Sequence, residues 1–158
     1  ELGEILTRDY KGKNPIIIGL LKGSVPFMAE LIKNIDLDVD IDFMVVKSYV
    51  GATSTGNVRI LMDCSVDVSG RDVIFCEDIV DTGYTLKKLV DNFLKSKNTA
   101  SVEIVTLLDK VEGRKVSITP KYVGFEIPNK FVVGYGLDYN EKYRNLPYVG
   151  ILKPEVYS

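Results

Sequence analysis

The fourteen residues Val73-Ile-Phe-Cys-Glu-Asp-Ile-Val-Asp-Thr-Gly-Tyr-Thr-Leu86 decide the fold. With Asp72 they open as an apolar run to Cys76, of the kind that forms a strand buried on both faces. A polar stretch, Glu77 to Gly83, follows. Beyond it Leu86, Leu89, Val90, Phe93 and Leu94 recur at i, i+3, i+4, i+7 and i+8, the stripe of an amphipathic helix. The strand ends in two adjacent carboxylates, Glu77 and Asp78, with a third at Asp81. In open α/β sheets ligands bind beyond the carboxyl ends of strands, where these acids fall. The start of a helix also aims free N–H groups and the positive end of its dipole at one point. With the hydroxyls of Thr82 and Thr85 and the permissive Gly83, that junction makes a cradle for a phosphate monoester. Three acids beside an anion site then need another part of the ligand, either sugar hydroxyls or a hard divalent cation such as magnesium. The plainer alternative is an ordinary helix start, capped by Thr82 with the acids favouring its dipole. The full string favours the ligand site.

The same alternation extends in both directions. Leu2, Ile5, Leu6 and Tyr10 have helical spacing, ended by Gly12 to Asn14. Pro15 to Leu21 is a second buried strand, followed by Lys22-Gly23-Ser24 and a helix with Phe27, Met28, Leu31, Ile32 and Ile35 inward. Val39, Ile41, Phe43 and Val45 alternate as in a half-buried strand. Ser48 to Asn57 has no periodicity and reads as a flexible loop, and Val58 to Met62 as a strand. On the other side, Ser101 to Leu108 is an apolar strand and Gly113-Arg-Lys a turn. Val123 to Ile127 and Phe131 to Tyr135 are short strands, and the chain from Asp138 looks irregular. Strands alternating with helices predict one α/β domain over residues 1–158, with a mostly parallel central sheet flanked by helices.

Composition removes several kinds of chemistry. The 158 residues include no histidine. A Ser-His-Asp or Cys-His pair, a histidine zinc site and a histidine pH switch are therefore impossible. Acid–base work falls to Asp, Glu, Lys, Tyr or Cys. Twenty Lys plus Arg against 22 Asp plus Glu give a net charge of −2, unlike a general nucleic-acid binder. No apolar run approaches the roughly 18 residues of a membrane span, so no membrane partner is expected. Cys64 and Cys76 lack metal-ligand spacing, and Cys76 reads as a reduced packing residue, as in a cytoplasmic protein. The chain opens at Glu1 rather than Met, so further N-terminal residues are expected to precede it.

The string 73–86 resembles the phosphoribosyl-pyrophosphate signature of the type I phosphoribosyltransferases, and nearly the whole chain resembles the bacterial hypoxanthine-guanine members. Leu-Leu-Lys-Gly at 20–23, Ser48-Tyr49, Leu107 to Lys110, and Val123-Gly-Phe-Glu-Ile-Pro through Arg144 carry that likeness. It implies the type I fold, with a small hood from the terminal segments, and magnesium-dependent transfer of 5-phosphoribosyl to hypoxanthine or guanine. Glu77 and Asp78 would hold the ribose hydroxyls and substrate-bound Mg2+. Asp81, Thr82, Gly83, Tyr84 and Thr85 would enclose the 5-phosphate, with Asp81 as general base at the purine N7. Lys22, Gly23 and Arg144 would bind pyrophosphate, with a cis Leu21–Lys22 bond. Lys110 would donate to the purine O6, Phe131 would stack on the base, and the Val132 backbone would read its edge. Asp138 would lie near the base and a second magnesium. Ser48 and Tyr49 would begin a mobile lid over 48–57, in which Val50 replaces a frequent glycine. A dimer or tetramer is implied, with no nucleic-acid partner. A regulator on the same fold is the competing reading. Lys110 and Phe131-Val132 fit a purine pocket, and the chain shows no basic stripe.

Overall fold

Pro15–Leu20, every residue of it buried, forms β1 at the heart of a mixed sheet. The computed structural model describes residues 1–49 and 57–158. In chain order the elements are α1 (Leu2–Asp9), β1, α2 (Val25–Lys33), β2 (Asp40–Tyr49), β3 (Asn57–Met62), β4 (Asp72–Val80), α3 (Tyr84–Lys95) and β5 (Ser101–Asp109). A 3-10 turn at Val111–Gly113 then leads to β6 (Tyr122–Glu126), β7 (Val132–Val133), β8 (Gly150–Ile151) and α4 (Pro154–Tyr157). The sheet order is β3-β2-β1-β4-β5-β6. All its neighbours pair in parallel except β2 and β3, which are antiparallel. The α/β architecture with a mostly parallel sheet is as expected.

The central strands are apolar throughout because both their faces are covered. Side chains alternate across a strand, and the two halves of the core follow that alternation. Ile16, Ile18, Val73 and Phe75 join Leu86, Leu89 and Phe93 of α3 on one face. Ile17, Ile74 and Cys76 join Leu6 and Tyr10 from the α1 end and Phe27, Met28 and Leu31 of α2 on the other. Phe75 and Phe93 meet edge to face at 4.8 Å, a favoured aromatic geometry. Burial pushes the Cys76 thiol well up, in keeping with a packing role.

Four sequence expectations change. β4 runs on to Val80, so Glu77 and Asp78 are strand residues rather than loop residues. Around β2, Val39 just before the strand and Phe43 within it do pack toward α1 and α2, but Ile41 is exposed and Met44 is fully buried toward α3. This strand lies near the sheet's edge, and its register shifts at Val45/Val46, so each face is covered only in part. Leu94 is exposed, at the margin of the α3 stripe. The chain from Asp138 is irregular as expected through Val149, with only turns and isolated bridges, but it ends in β8 and α4. β8 pairs antiparallel with β7, giving a small ribbon apart from the main sheet where a hood was expected.

Candidate active site

The carboxyl ends of β1, β4 and β5 meet the chain that leaves β7, and the predicted residues gather there. At the β4–α3 junction Gly83 has φ 88°, a left-handed conformation that glycine adopts without steric cost. Gly83, and not Thr82, occupies the cap position, and no side chain caps α3. The first-turn N–H groups therefore stand beside a cavity of about 150 Å3 lined by Glu77, Asp81, Thr82, Gly83 and Thr85, among others. Tyr84 is the first residue of the helix.

Asp81 faces Lys110. The ammonium donates to the Asp81 carboxylate at 3.3 Å. Lys110 follows β5 and is only 8% exposed. A lysine at a strand end is ordinarily solvated, so a buried one beside a carboxylate marks a built site. Gly113 makes room for the pair, since a Cβ there would stand 1.9 Å from the Asp81 carboxylate.

The two strand-end acids flank the end of β4 from either side, because consecutive strand residues point to opposite faces. Glu77 lines the cavity below α3. Asp78 lies against Gly23, where a Cβ would come within 1.9 Å of its carboxylate oxygen. Burial pushes Glu77 well above the usual carboxylate range, and the Asp78 charge adds to this. Burial also raises Asp78, against hydrogen bonds from backbone N–H groups and the Arg144 charge, which favour its ionised form. Among the described residues, no three His, Cys, Asp or Glu side chains form a metal cage. A desolvated carboxylate pair without a cage suits magnesium that arrives with an oxyanion, because Mg2+ keeps most of its oxygen ligands from phosphate and water.

Close approach at Gly23 yields a prediction. Gly23→Ala forces the Asp78 carboxylate to move by about 1 Å, and misplacement on that scale costs roughly 10²-fold in kcat/KM. Steady-state kinetics should show that loss with little change in melting temperature. Unchanged kcat/KM would remove Asp78 from the reacting geometry.

Lys22 and Arg144 come together through a residue the sequence reading missed. The Glu141 carboxylate accepts from Lys22 at 3.0 Å and from Arg144 at 3.2 Å. Hydrogen bonds from Arg144, then Lys22, lower Glu141 to about 2. Arg144 also donates to the Gly136 carbonyl at 2.7 Å and lies 3.5 Å from Asp138. Gly136 packs so tightly that a Cβ would be 2.0 Å from the Gly23 carbonyl oxygen. The Leu21–Lys22 peptide bond is cis. Ser24 Oγ, at the same turn, is buried without a partner among the described residues.

Phe131 is 38% exposed and precedes β7, whose Val132 is half-buried. Ser48 and Tyr49 are not loop residues. They pair with Val58 and Asn57 in the β2–β3 ladder, and residues 50–56 of the expected lid, Val50 included, lie outside the described residues.

A further omission lies behind the β4–α3 junction. Arg114 donates to the Asp81 carbonyl at 3.1 Å, to the Ile118 carbonyl at 2.6 Å, and to the Asp109 carboxylate. Lys115 N–H donates to the Thr82 carbonyl at 2.9 Å. Read as a turn, Gly113-Arg-Lys gave no sign of this. Only the sheet register brings it under Asp81.

The family model described as a phosphoribosyl transferase domain matches residues 1–140. The chain belongs to the phosphoribosyltransferase family. It is 61% identical to the hypoxanthine-guanine phosphoribosyltransferase of Lactococcus lactis, over all of this chain and 86% of that one. The corresponding protein of Streptococcus agalactiae is 62% identical, over all of this chain and 88% of its own length. Among solved structures, a hypoxanthine phosphoribosyltransferase from Staphylococcus aureus superposes with a TM-score of 0.94 at 56% identity, covering 99% of this chain and 85% of that one. In this phosphoribosyltransferase the uncapped α3 start and the Asp81–Lys110 pair stand at the strand ends where α/β folds place their ligands. No helix among the described residues is long and apolar enough to cross a membrane.

Proposed function

We propose that this phosphoribosyltransferase moves 5-phosphoribosyl from phosphoribosyl pyrophosphate to hypoxanthine or guanine, giving IMP or GMP and pyrophosphate. The observation that carries the reading is the buried Lys110 paired with Asp81 at the uncapped start of α3. A phosphate cradle needs N–H and hydroxyl donors, and Gly83, Tyr84, Thr82 and Thr85 supply them. A 6-oxopurine needs a donor at O6, which the Lys110 ammonium provides. The amino group of adenine cannot accept that hydrogen bond.

Each remaining residue follows from its chemistry. Glu77 and Asp78 accept from the ribose hydroxyls. Lys22, Arg144 and the Gly23 turn hold the leaving pyrophosphate, displacing the Glu141 carboxylate from the two cations. Phe131 stacks on the base and the Val132 backbone reads its edge. Asp81 handles the N7 proton as general base. Glu77 and Asp78 would hold a Mg2+ that arrives with the donor's phosphates, and Asp138 would stand by a second; bound there, the ions would supply positive charge against the departing pyrophosphate. Ser48 and Tyr49 help keep water from the activated ribosyl centre. A homo-oligomer, dimer or tetramer, in the cytoplasm completes the reading.

Incubation with phosphoribosyl pyrophosphate and Mg2+ should form nucleotide from hypoxanthine and guanine, and none from adenine, by chromatography. Absence of product with both oxopurines, or equal use of adenine, overturns the assignment.

A further inference from the structure

The C-terminal segment reaches the proposed base site. β8 pairs with β7 through Val132↔Ile151, and Leu152 N–H donates to the Phe131 carbonyl at 2.9 Å. Pro154 then opens the short α4, with the fixed φ that suits a first helical turn. That turn folds Tyr157 back over Phe131. The two rings are nearly parallel, 25° apart with centroids 5.0 Å apart. Tyr139 meets the same Phe131 ring edge-on at 5.9 Å and 81°, and lies 6.4 Å from Tyr157.

A planar ring has two faces, and Tyr157 takes one of them. Phe131 is still 38% exposed, which leaves part of its ring surface accessible to a flat partner. A Phe ring otherwise swings freely about its side-chain bonds. Stacking on one face and an edge contact together fix its plane, and a fixed plane lowers the ordering cost of stacking a base upon it.

We propose that Tyr157 is a positioning residue for the purine. It stacks on one face of Phe131 and holds that ring ready to stack on the base. The proposal rests on the reading of Phe131 as the base-stacking residue. The ring carries the effect and the hydroxyl is not needed.

Tyr157→Ala, Tyr157→Phe and Phe131→Leu test it, with KM measured separately for hypoxanthine and for phosphoribosyl pyrophosphate. Tyr157→Ala should raise the hypoxanthine KM roughly 3–10-fold, the range expected of one aromatic pair. The KM for the ribosyl donor, kcat and the melting temperature should stay put. Tyr157→Phe should restore the wild-type KM, and Tyr157→Ala should add nothing in a Phe131→Leu background. An unchanged hypoxanthine KM in Tyr157→Ala overturns the proposal. A lowered one also overturns it, because Tyr157 would then occupy the base's own place. Loss of both KM values together marks a merely structural role and overturns it as well. If Phe131→Leu alone leaves the hypoxanthine KM unchanged, the base-stacking reading of Phe131 has failed instead.

Discussion

Asp81→Asn lowers kcat by roughly 10²–10⁴-fold, the usual contribution of a positioned general base, and leaves binding of phosphoribosyl pyrophosphate intact. The substitution keeps size and shape. Its amide oxygen still accepts from the Lys110 ammonium, now 3.3 Å from the carboxylate. The backbone at this position is held separately, through the Asp81 carbonyl and Arg114. The donors proposed for the 5-phosphate are N–H and hydroxyl groups that the change does not touch. What disappears is the capacity to take a proton. Steady-state kinetics with calorimetric titration of the donor separates the two effects, and wild-type kcat in the variant would refute the assignment. Asp81→Ala differs in kind, because it strands a lysine that is only 8% exposed. A buried charge without a partner costs stability, so the alanine variant should melt lower while the asparagine variant does not.

The strand-to-helix junction was legible because local chemistry determines it. A strand covered on both faces must be apolar throughout, and an uncapped helix start beside glycine and threonine is a local anion site. Glu77 and Asp78 do stand together near the carboxyl end of β4, though inside the strand rather than just beyond it. Their separation onto two faces needed the knowledge that β4 continues to Val80. Period-two alternation is hard to see where polar residues face a site instead of solvent.

Other features depend on distant pairing and leave no local mark. Two-residue strands such as β7 and β8 are too short to show a period, so their ribbon left no mark, although the stretch between them is irregular as read. The burial of Lys110 follows from the 3-10 turn folding beneath Asp81, 29 residues away in the chain. Glu141, sitting between Lys22 and Arg144, is the same kind of case. It has the composition of a surface acid and acquires its place only from the path of the loop, where Asn140, Glu141 and Tyr143 all have positive φ. Such backbone strain in residues other than glycine gathers at functional sites, but it becomes visible only once the fold is known.

Arg114→Met carries the largest expected cost in stability. The Arg114 and Asp109 side chains are 16% and 11% exposed and form an ion pair behind the β4–α3 junction. Removing one partner of a buried pair costs about 3–5 kcal/mol. For a domain of this size that lowers the melting temperature by about 10 °C, as calorimetry would show. The same change leaves the Asp81 and Ile118 carbonyls without their donor, so the loop shifts and kcat/KM for the ribosyl donor falls roughly 10²-fold. Combining it with Asp109→Leu distinguishes the two losses. An apolar pair of similar volume is often as stable as the ion pair it replaces, so the double variant should regain most of its melting temperature. It should not regain kcat/KM, because no methionine can donate to the Asp81 carbonyl. Recovery of both would mean that Arg114 stabilises the fold without holding the loop. Recovery of stability alone assigns the guanidinium two separable tasks, neutralising Asp109 and fixing the backbone from which Asp81 acts.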